Sequence, residues 1–253
     1  LYYIGALWRD SGIEAGYRSI DTAEGYANEE GVGEAIRTAG VPRGELFITS
    51  KLRNGAHQRD AALRAFDETM EKLGIEQIDL FLIHWPMPDV GDFVETWRAM
   101  EEIKATGRCR SIGVSNFQPA HLRRLADETD TAPSVNQIEV HPYFVQDDVR
   151  AANAERGIAT EAWSPIAQGK VLDDNTLIEI GKAHHKTAAQ VTLRWHSQRG
   201  DIIFPKSVTP SRVAENFDIF DVDLTDDEMA RITDLDRDQR NGPNPDEFNM
   251  IPK

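Results

Sequence analysis

IDLFLIHW, residues 78–85, is a run of apolar side chains that ends on a histidine and a tryptophan. Its hydrophobicity is continuous and does not alternate with polar residues, which is typical of a strand buried on both faces of a parallel sheet. The segment before it, Arg59–Leu73, carries apolar side chains at helical spacing. Before that helix lies another strand-type run, residues 46–51 (LFITSK). This part of the chain therefore predicts a strand, a crossover helix and a second, parallel strand.

The same alternation continues in both directions from this segment. Amphipathic patterns recur at residues 94–103 and 188–195, and successive strand-type runs start mostly a few tens of residues apart. That spacing leaves room for a crossover helix each time. The remaining strand-type runs are residues 18–22 (RSIDT), 110–115 (RSIGVS), 135–140 (VNQIEV), 158–163 (IATEAW) and 202–206 (IIFPK), with a weaker eighth at residues 2–7 (YYIGAL).

Seven clear strand–helix units and a weak eighth are compatible with a closed α/β barrel. The length of 253 residues is typical of such a barrel. A doubly wound open sheet has the same alternation, so periodicity alone leaves both folds open. No Gly-x-Gly-x-x-Gly turn follows the first strands, and the Gly31-Val32-Gly33 pair falls inside a predicted helix. This favours the barrel, and we expect one domain over residues 1–253.

The composition, 40% hydrophobic and 28% charged, is typical of a soluble globular protein. A net charge of -15 argues against a nucleic-acid partner, because binding a duplex requires a basic excess. No apolar stretch reaches the roughly 18 residues of a membrane span, so no membrane partner is expected. The single cysteine, Cys109, cannot form an internal disulfide, which suits a cytoplasmic protein. The start lacks an initiator Met and a basic region, so we expect an incomplete terminus and not a signal peptide.

Polar and ionisable side chains collect at the carboxyl ends of the predicted strands, where barrel enzymes carry their chemistry. An ammonium group stabilises a neighbouring phenolate, so Lys51 would make Tyr26 a usable proton donor to a developing alkoxide. Asp21 is expected to hold Lys51 charged, and a neutral His84 to hydrogen-bond a substrate carbonyl. In chain order the strand-end residues are Asp21 with Tyr26, Lys51, His84, Ser115-Asn116, Gln137, Trp163-Ser164 and Lys206-Ser207.

Each of these residues also has a structural interpretation. An Asp–Lys pair at strand ends is often a structural ion pair, a histidine after an apolar strand is often a near-core residue, and a tyrosine in a glycine-containing loop is often a packing cap. Their joint occurrence at successive strand ends favours catalysis. A metal hydrolase would need clustered His, Asp and Glu ligands. Because His84 and His141 are isolated and His184-His185 lies on a predicted helix, no metal site is predicted.

Six short motifs, in order over nearly the whole chain, resemble those of the aldo-keto reductases. They are residues 16–23 (GYRSIDTA) with Tyr26 following, 49–52 (TSKL), 82–86 (LIHWP), 111–117 (SIGVSNF), 136–139 (NQIE) and 204–208 (FPKSV). The chain looks most like the bacterial 2,5-diketogluconate reductases, through residues 168–170 (QGK), 193–196 (LRWH) and 217–220 (FDIF). The resemblance implies a (β/α)8 TIM barrel and reversible hydride transfer from NAD(P)H to an aldehyde or ketone, either sugar-derived or dicarbonyl.

The resemblance also implies residue roles. The catalytic tetrad is Asp21, Tyr26, Lys51 and His84, with Tyr26 as the proton donor. At the nicotinamide end of the cofactor site, Ser115, Asn116 and Gln137 would hydrogen-bond the carboxamide. Trp163 would stack on the nicotinamide ring, and Ser164 lies next to Trp163 in the sequence. The adenosine-phosphate end is Lys206, Ser207, Val208, Thr209, Arg212, Glu215 and Asn216. Lys206 and Arg212 can pair with a 2′-phosphate, which favours NADPH over NADH.

The chain departs from the family pattern in two places. Only residues 2–8 precede the first helix, where the family usually has a Gly-Thr-aromatic segment, so we expect residues to be missing there and give Trp8 no role. Many relatives have an aromatic residue at the position of Arg53. We expect the Arg53 side chain either to attract a substrate carboxylate or to point to solvent. Trp85 is predicted to line the substrate pocket. The tail, residues 241–253, has no helical pattern; the resemblance implies that it lies over the pocket, whereas composition alone indicates a disordered end.

The sequence thus predicts an NADPH-dependent reductase of small-molecule carbonyl substrates, expected to be a monomer as relatives of this type usually are. The alternative is a barrel that binds NADPH and serves as a sensor or scaffold with little turnover. Loss of the tyrosine or the lysine would favour that alternative, and both Tyr26 and Lys51 are present.

Overall fold

The computed structural model describes residues 12–207 and 209–251. Its core element is a parallel sheet. Its seven strands in these residues follow the order of the chain, and every neighbouring pair is parallel. They are β1 Ser19–Asp21, β2 Phe47–Leu52, β3 Ile78–Ile83, β4 Cys109–Ser115, β5 Val135–Glu139, β6 Ala159–Trp163 and β7 Ile202–Ile203. The prediction of an α/β fold with sequential parallel strands is confirmed.

Helices connect the strands, as parallel pairing requires. In the same two described ranges they are α1 Ile13–Ala15, α2 Glu29–Thr38, α3 Arg59–Leu73, α4 Phe93–Ala105, α5 Pro119–Glu128, α6 Asp147–Glu155, α7 Asn175–His184, α8 Ala188–Gln198, α9 Pro210–Phe217 and α10 Asp226–Thr233. None of the helices in these ranges has the length and apolar character that crossing a bilayer requires.

Strand β3 shows why these residues adopt this fold. All six of its side chains are buried: five are apolar, as expected for such a strand, and Asp79 pairs with Arg43 and Arg110. The apolar face of α3 packs outside the sheet, where the rings of Phe66 and Phe81 lie 5.2 Å apart. Helix α2 approaches α3 so closely that a Cβ on Gly33 would lie 2.4 Å from the Leu73 carbonyl oxygen. A side chain at position 33 would therefore force the two helices apart.

Because all the strands run in the same direction, their carboxyl ends meet at one edge of the sheet. This brings together the strand-end residues of the sequence analysis, although they are far apart along the chain. The closed eight-stranded barrel stays a prediction, since residues 2–7, the predicted eighth strand, lie outside the described residues. The same holds for Trp8, Val208 and residues 252–253.

Candidate active site

A cavity of about 800 Å³ opens at the carboxyl edge of the sheet. A second cavity of about 580 Å³ adjoins it, and the two share Lys206, Ser207 and Arg212 in their walls, so they form one elongated cleft. The predicted residues that line the first cavity are Asp21, Tyr26, His84, Trp85, Ser115, Asn116, Gln137, Trp163, Ser164, Lys206, Ser207 and Arg212. Those that line the second are Lys206, Ser207, Thr209, Arg212, Glu215 and Asn216.

Lys51 is fully buried behind the cavity wall. Its ammonium donates to Asp21 Oδ2 at 2.6 Å and to the Thr22 carbonyl oxygen at 2.9 Å. Burial by itself lowers the pKa of Lys51, but neighbouring groups, Asp21 foremost among them, outweigh burial and hold the pKa above its ordinary value. Lys51 therefore stays protonated inside the protein at neutral pH, and Asp21 balances its charge.

Tyr26 lies over this charge, with Lys51 Nζ 5.1 Å from the centre of its ring. A short 3-10 helix, Glu24–Tyr26, carries it from β1 towards the cavity. The turn is anchored on both sides: the Thr22 hydroxyl donates to Asn28 Oδ1 at 2.6 Å, and Glu24 pairs with Arg53. Tyr26 thus lies on a turn that is held by side-chain contacts, next to the buried Lys51 ammonium.

His84 faces Tyr26 from the end of β3. Their ring centres are 5.8 Å apart and the ring planes are nearly perpendicular, at 81°. Burial, together with the charge of Lys51, lowers the pKa of His84 to about 3. Its imidazole is therefore neutral at pH 7 and offers one N–H donor and one acceptor.

Asn116 connects three strands at the edge of the cavity. Its amide nitrogen donates to the His84 carbonyl oxygen at 3.0 Å and to Ser115 Oγ at 3.1 Å, and its amide oxygen accepts the indole N–H of Trp163 at 2.9 Å. Its φ of 65° lies in the left-handed region, which asparagine tolerates better than most residues. The orientation of the Trp163 indole is fixed by this network.

Gln137 and Glu161 lie side by side in the sheet, as register partners on β5 and β6. The Gln137 amide nitrogen donates to Asp21 Oδ1 and to Glu161 Oε2, both at 2.9 Å. Burial, reinforced by the negative charge of Asp21, raises the pKa of Glu161 to about 7. Glu161 was not among the residues predicted for the site, although its position two residues before Trp163 places it on the same face of the strand.

Arg53 lies away from the cavity, of whose lining it is not part. Its guanidinium pairs with Glu24, and with Glu68 at 2.8 Å. The substrate contact predicted for Arg53 stays a prediction, and the observed contacts instead connect it to the turn that carries Tyr26.

The tail segment 241–251 contacts two residues that line the cavity, Trp163 and Trp85. At its start, Glu139 accepts the backbone N–H groups of Asn241 and Gly242 at 2.7 and 2.9 Å. A Cβ on Gly242 would lie 2.5 Å from the Trp163 ring, so only glycine fits this close approach. Further along, Phe248 packs on Trp85 with ring centres 4.4 Å apart.

The cleft has the composition that a phosphorylated dinucleotide needs. Hydroxyl, amide and indole groups of Ser115, Asn116, Gln137 and Trp163 lie near Tyr26, and the exposed cations Lys206 and Arg212 lie towards the other end. Cations suit phosphates, and arginine binds them in a planar, multidentate way. The residues present therefore fit such a cofactor.

The aldo/keto reductase family model matches residues 10–237. Methylglyoxal reductase DkgA of Escherichia coli K12 is 49% identical over 238 residues, which cover 93% of this chain and 86% of that protein. Glyoxal reductase of Bacillus subtilis 168 is 48% identical, over 93% of this chain and 85% of that one. A crystal structure of a Gox0644 mutant in complex with NADPH superposes with a TM-score of 0.92 at 44% identity, covering 96% of this chain and 89% of that one.

Proposed function

Because the chain belongs to the aldo/keto reductase family, we propose that it reduces aldehydes and ketones to alcohols with NADPH, with Tyr26 as the general acid. Family membership makes it an oxidoreductase that acts on carbonyl groups. The proposed substrates are small dicarbonyls or sugar-derived carbonyl compounds, supported by the similarity to a methylglyoxal reductase and a glyoxal reductase.

The observation that carries this proposal is the buried Lys51 ammonium between Asp21 and the ring of Tyr26. A carbonyl that accepts a hydride becomes an alkoxide, which needs a proton. Tyr26 donates its hydroxyl proton to that oxygen and becomes a phenolate. The Lys51 charge stabilises the phenolate, and Asp21 keeps Lys51 protonated and in place.

His84 orients the substrate in this proposal. Being neutral, it can donate one N–H to the carbonyl oxygen without competing with Tyr26 as an acid. Tyr26 and His84 both line the cavity, with their ring centres 5.8 Å apart, so both can reach one carbonyl oxygen in this proposal.

NADPH, when bound, supplies the hydride. We propose that Ser115, Asn116 and Gln137 hold its carboxamide and that Trp163, steadied by Asn116, stacks on its ring. Lys206 and Arg212 are proposed to bind the 2′-phosphate, which would make NADPH the preferred cofactor. Supporting this, the similar Gox0644 structure was solved with NADPH.

We propose that Trp85 and the tail residue Phe248 form the substrate side of the pocket, so that the tail lies over it as the resemblance implies. The closed single-domain barrel, the monomeric state and the cytoplasmic location are proposals that accompany this function.

The experiment measures NADPH oxidation with methylglyoxal, glyoxal and glyceraldehyde, and NADPH binding by quenching of tryptophan fluorescence. Wild-type protein is expected to turn over at least one of these substrates. Tyr26→Phe should bind NADPH within a few-fold of wild type while kcat falls by about 10²–10⁴-fold or more. Near-normal turnover by Tyr26→Phe would refute the assignment, and binding without turnover by the wild type would favour the sensor or scaffold alternative.

A further inference from the structure

Glu161 is a buried carboxyl group that the proposed mechanism does not use. It is 2% exposed and lies in the middle of β6, between Gln137 on β5 and Ile202 on β7. A carboxyl group in this position costs free energy unless it is hydrogen-bonded. Glu161 accepts a hydrogen bond from the amide nitrogen of Gln137, at 2.9 Å.

The Gln137 amide is held by two acceptors. An amide nitrogen has two N–H groups, and here one donates to Asp21 and the other to Glu161. With Asp21 alone, the amide would keep the freedom to swing about a single hydrogen bond. A flipped amide would place its oxygen 2.9 Å from two carboxylate oxygens, which is electrostatically unfavourable. The pair of acceptors therefore selects one orientation of the amide.

This orientation leaves the amide oxygen of Gln137 available in a residue that lines the cavity. Asp21 is already engaged, because its other oxygen accepts from Lys51 at 2.6 Å. Glu161 is near enough to Asp21 and Lys51 to act on them through its charge, but its hydrogen bond into the site is the one with Gln137.

We infer that Glu161 is a positioning residue that fixes the Gln137 amide so that its oxygen accepts from the nicotinamide carboxamide, an inference that rests on the proposed function. Glu161 retains an acceptor oxygen whether or not it is ionised, so what positions Gln137 is the acceptor and not the charge. The increased pKa of Glu161, near 7, agrees with a group that works in either form.

The test compares two variants by their affinity for two ligands. Glu161→Met has a similar length but no strong acceptor, and Glu161→Gln keeps an acceptor oxygen. The ligands are NADPH and 2′-phospho-ADP-ribose, which carries the adenosine and the 2′-phosphate but lacks the nicotinamide. Dissociation constants are measured by calorimetry, so the readout does not depend on turnover, and thermal melting reports the stability of each variant.

Glu161→Met is expected to raise the Kd for NADPH by up to about tenfold, the scale of one lost hydrogen bond between neutral groups, and to leave the Kd for 2′-phospho-ADP-ribose within about twofold. Glu161→Gln should bind both ligands within about twofold of wild type. Equal losses for both ligands with Glu161→Met, or no loss for either, would overturn the inference.

Glu161→Gln keeps the test decisive if the methionine variant does not fold. A tenfold selective loss of NADPH affinity in Glu161→Gln would show that the charge is required and would overturn the acceptor role. If wild-type protein binds 2′-phospho-ADP-ribose and NADPH equally well, the nicotinamide end contributes nothing and the inference fails while NADPH binding stands. If the wild type binds neither ligand, the proposed function itself fails.

Discussion

Replacing Lys51 by methionine removes the charge at the centre of the site while keeping the length of the side chain. Turnover should fall by about 10²–10⁴-fold, because Tyr26 loses the ammonium that stabilises its phenolate. Stability should fall as well. Lys51 is fully buried, and its loss leaves Asp21, whose side chain is only 14% exposed, without its counter-charge.

The size of the stability loss follows from the contacts that Asp21 keeps. Breaking a buried ion pair costs about 3–5 kcal/mol. Asp21 retains the N–H of Gln137 at 2.9 Å, so we expect the lower end, about 3 kcal/mol. For a chain of this length that corresponds to a decrease in Tm of about 6–12 °C.

The matched control is the double variant Lys51→Met with Asp21→Asn, in which no unpaired charge remains. It should recover much of the lost Tm but none of the lost turnover, measured by calorimetric melting and by NADPH oxidation. Turnover of Lys51→Met within tenfold of wild type would refute the catalytic role. A double variant as unstable as the single one would refute the charge-pairing argument.

Three further predictions test other parts of the molecule. Arg212→Ala should raise the Kd for NADPH by about 10–100-fold and leave the Kd for NADH unchanged, because only NADPH carries the 2′-phosphate; equal losses contradict the assignment. Arg53→Ala should lower kcat by no more than a few-fold, equally for acidic and neutral aldehydes, because Arg53 pairs with Glu24 and Glu68. A KM increase restricted to the acidic substrate would instead support the predicted substrate contact. Burial lowers the pKa of His57 to about 4, so the unfolded chain binds the extra proton below pH 6.5 and stability decreases as the pH falls. In urea titrations at pH 6.5 and 5, His57→Leu should reduce that decrease by roughly 1.5 kcal/mol, and an unchanged decrease would contradict this.

The sequence predicted the parts of this protein that depend on local periodicity. Continuous apolar runs such as β3 mark buried parallel strands, and apolar residues at helical spacing marked α3 at its observed bounds, Arg59–Leu73. Parallel strands end at one edge, so the carboxyl-end positions of Lys51 and His84 could be placed near one another without coordinates. The family resemblance then supplied their expected roles.

The sequence could not show where long side chains point after they leave the backbone. Arg53 directly follows β2, yet its guanidinium turns towards Glu24 and Glu68, a choice made by the charges that packing places around it. The tail is similar: its composition indicates disorder, whereas Glu139 and Trp85 give it specific partners.

The sequence by itself determined the order of strands and helices and the set of polar groups delivered to one edge of the sheet, because both follow from patterns a few residues long. Only the tertiary structure decided which of these groups touch. Gln137 donates to Asp21 across 116 positions of the chain and to Glu161 across 24, and these contacts depend on how β1, β5 and β6 are brought together. A hydrogen bond requires its two atoms to lie about 3 Å apart. Strand packing determines which side chains come that close, and spacing along the sequence does not.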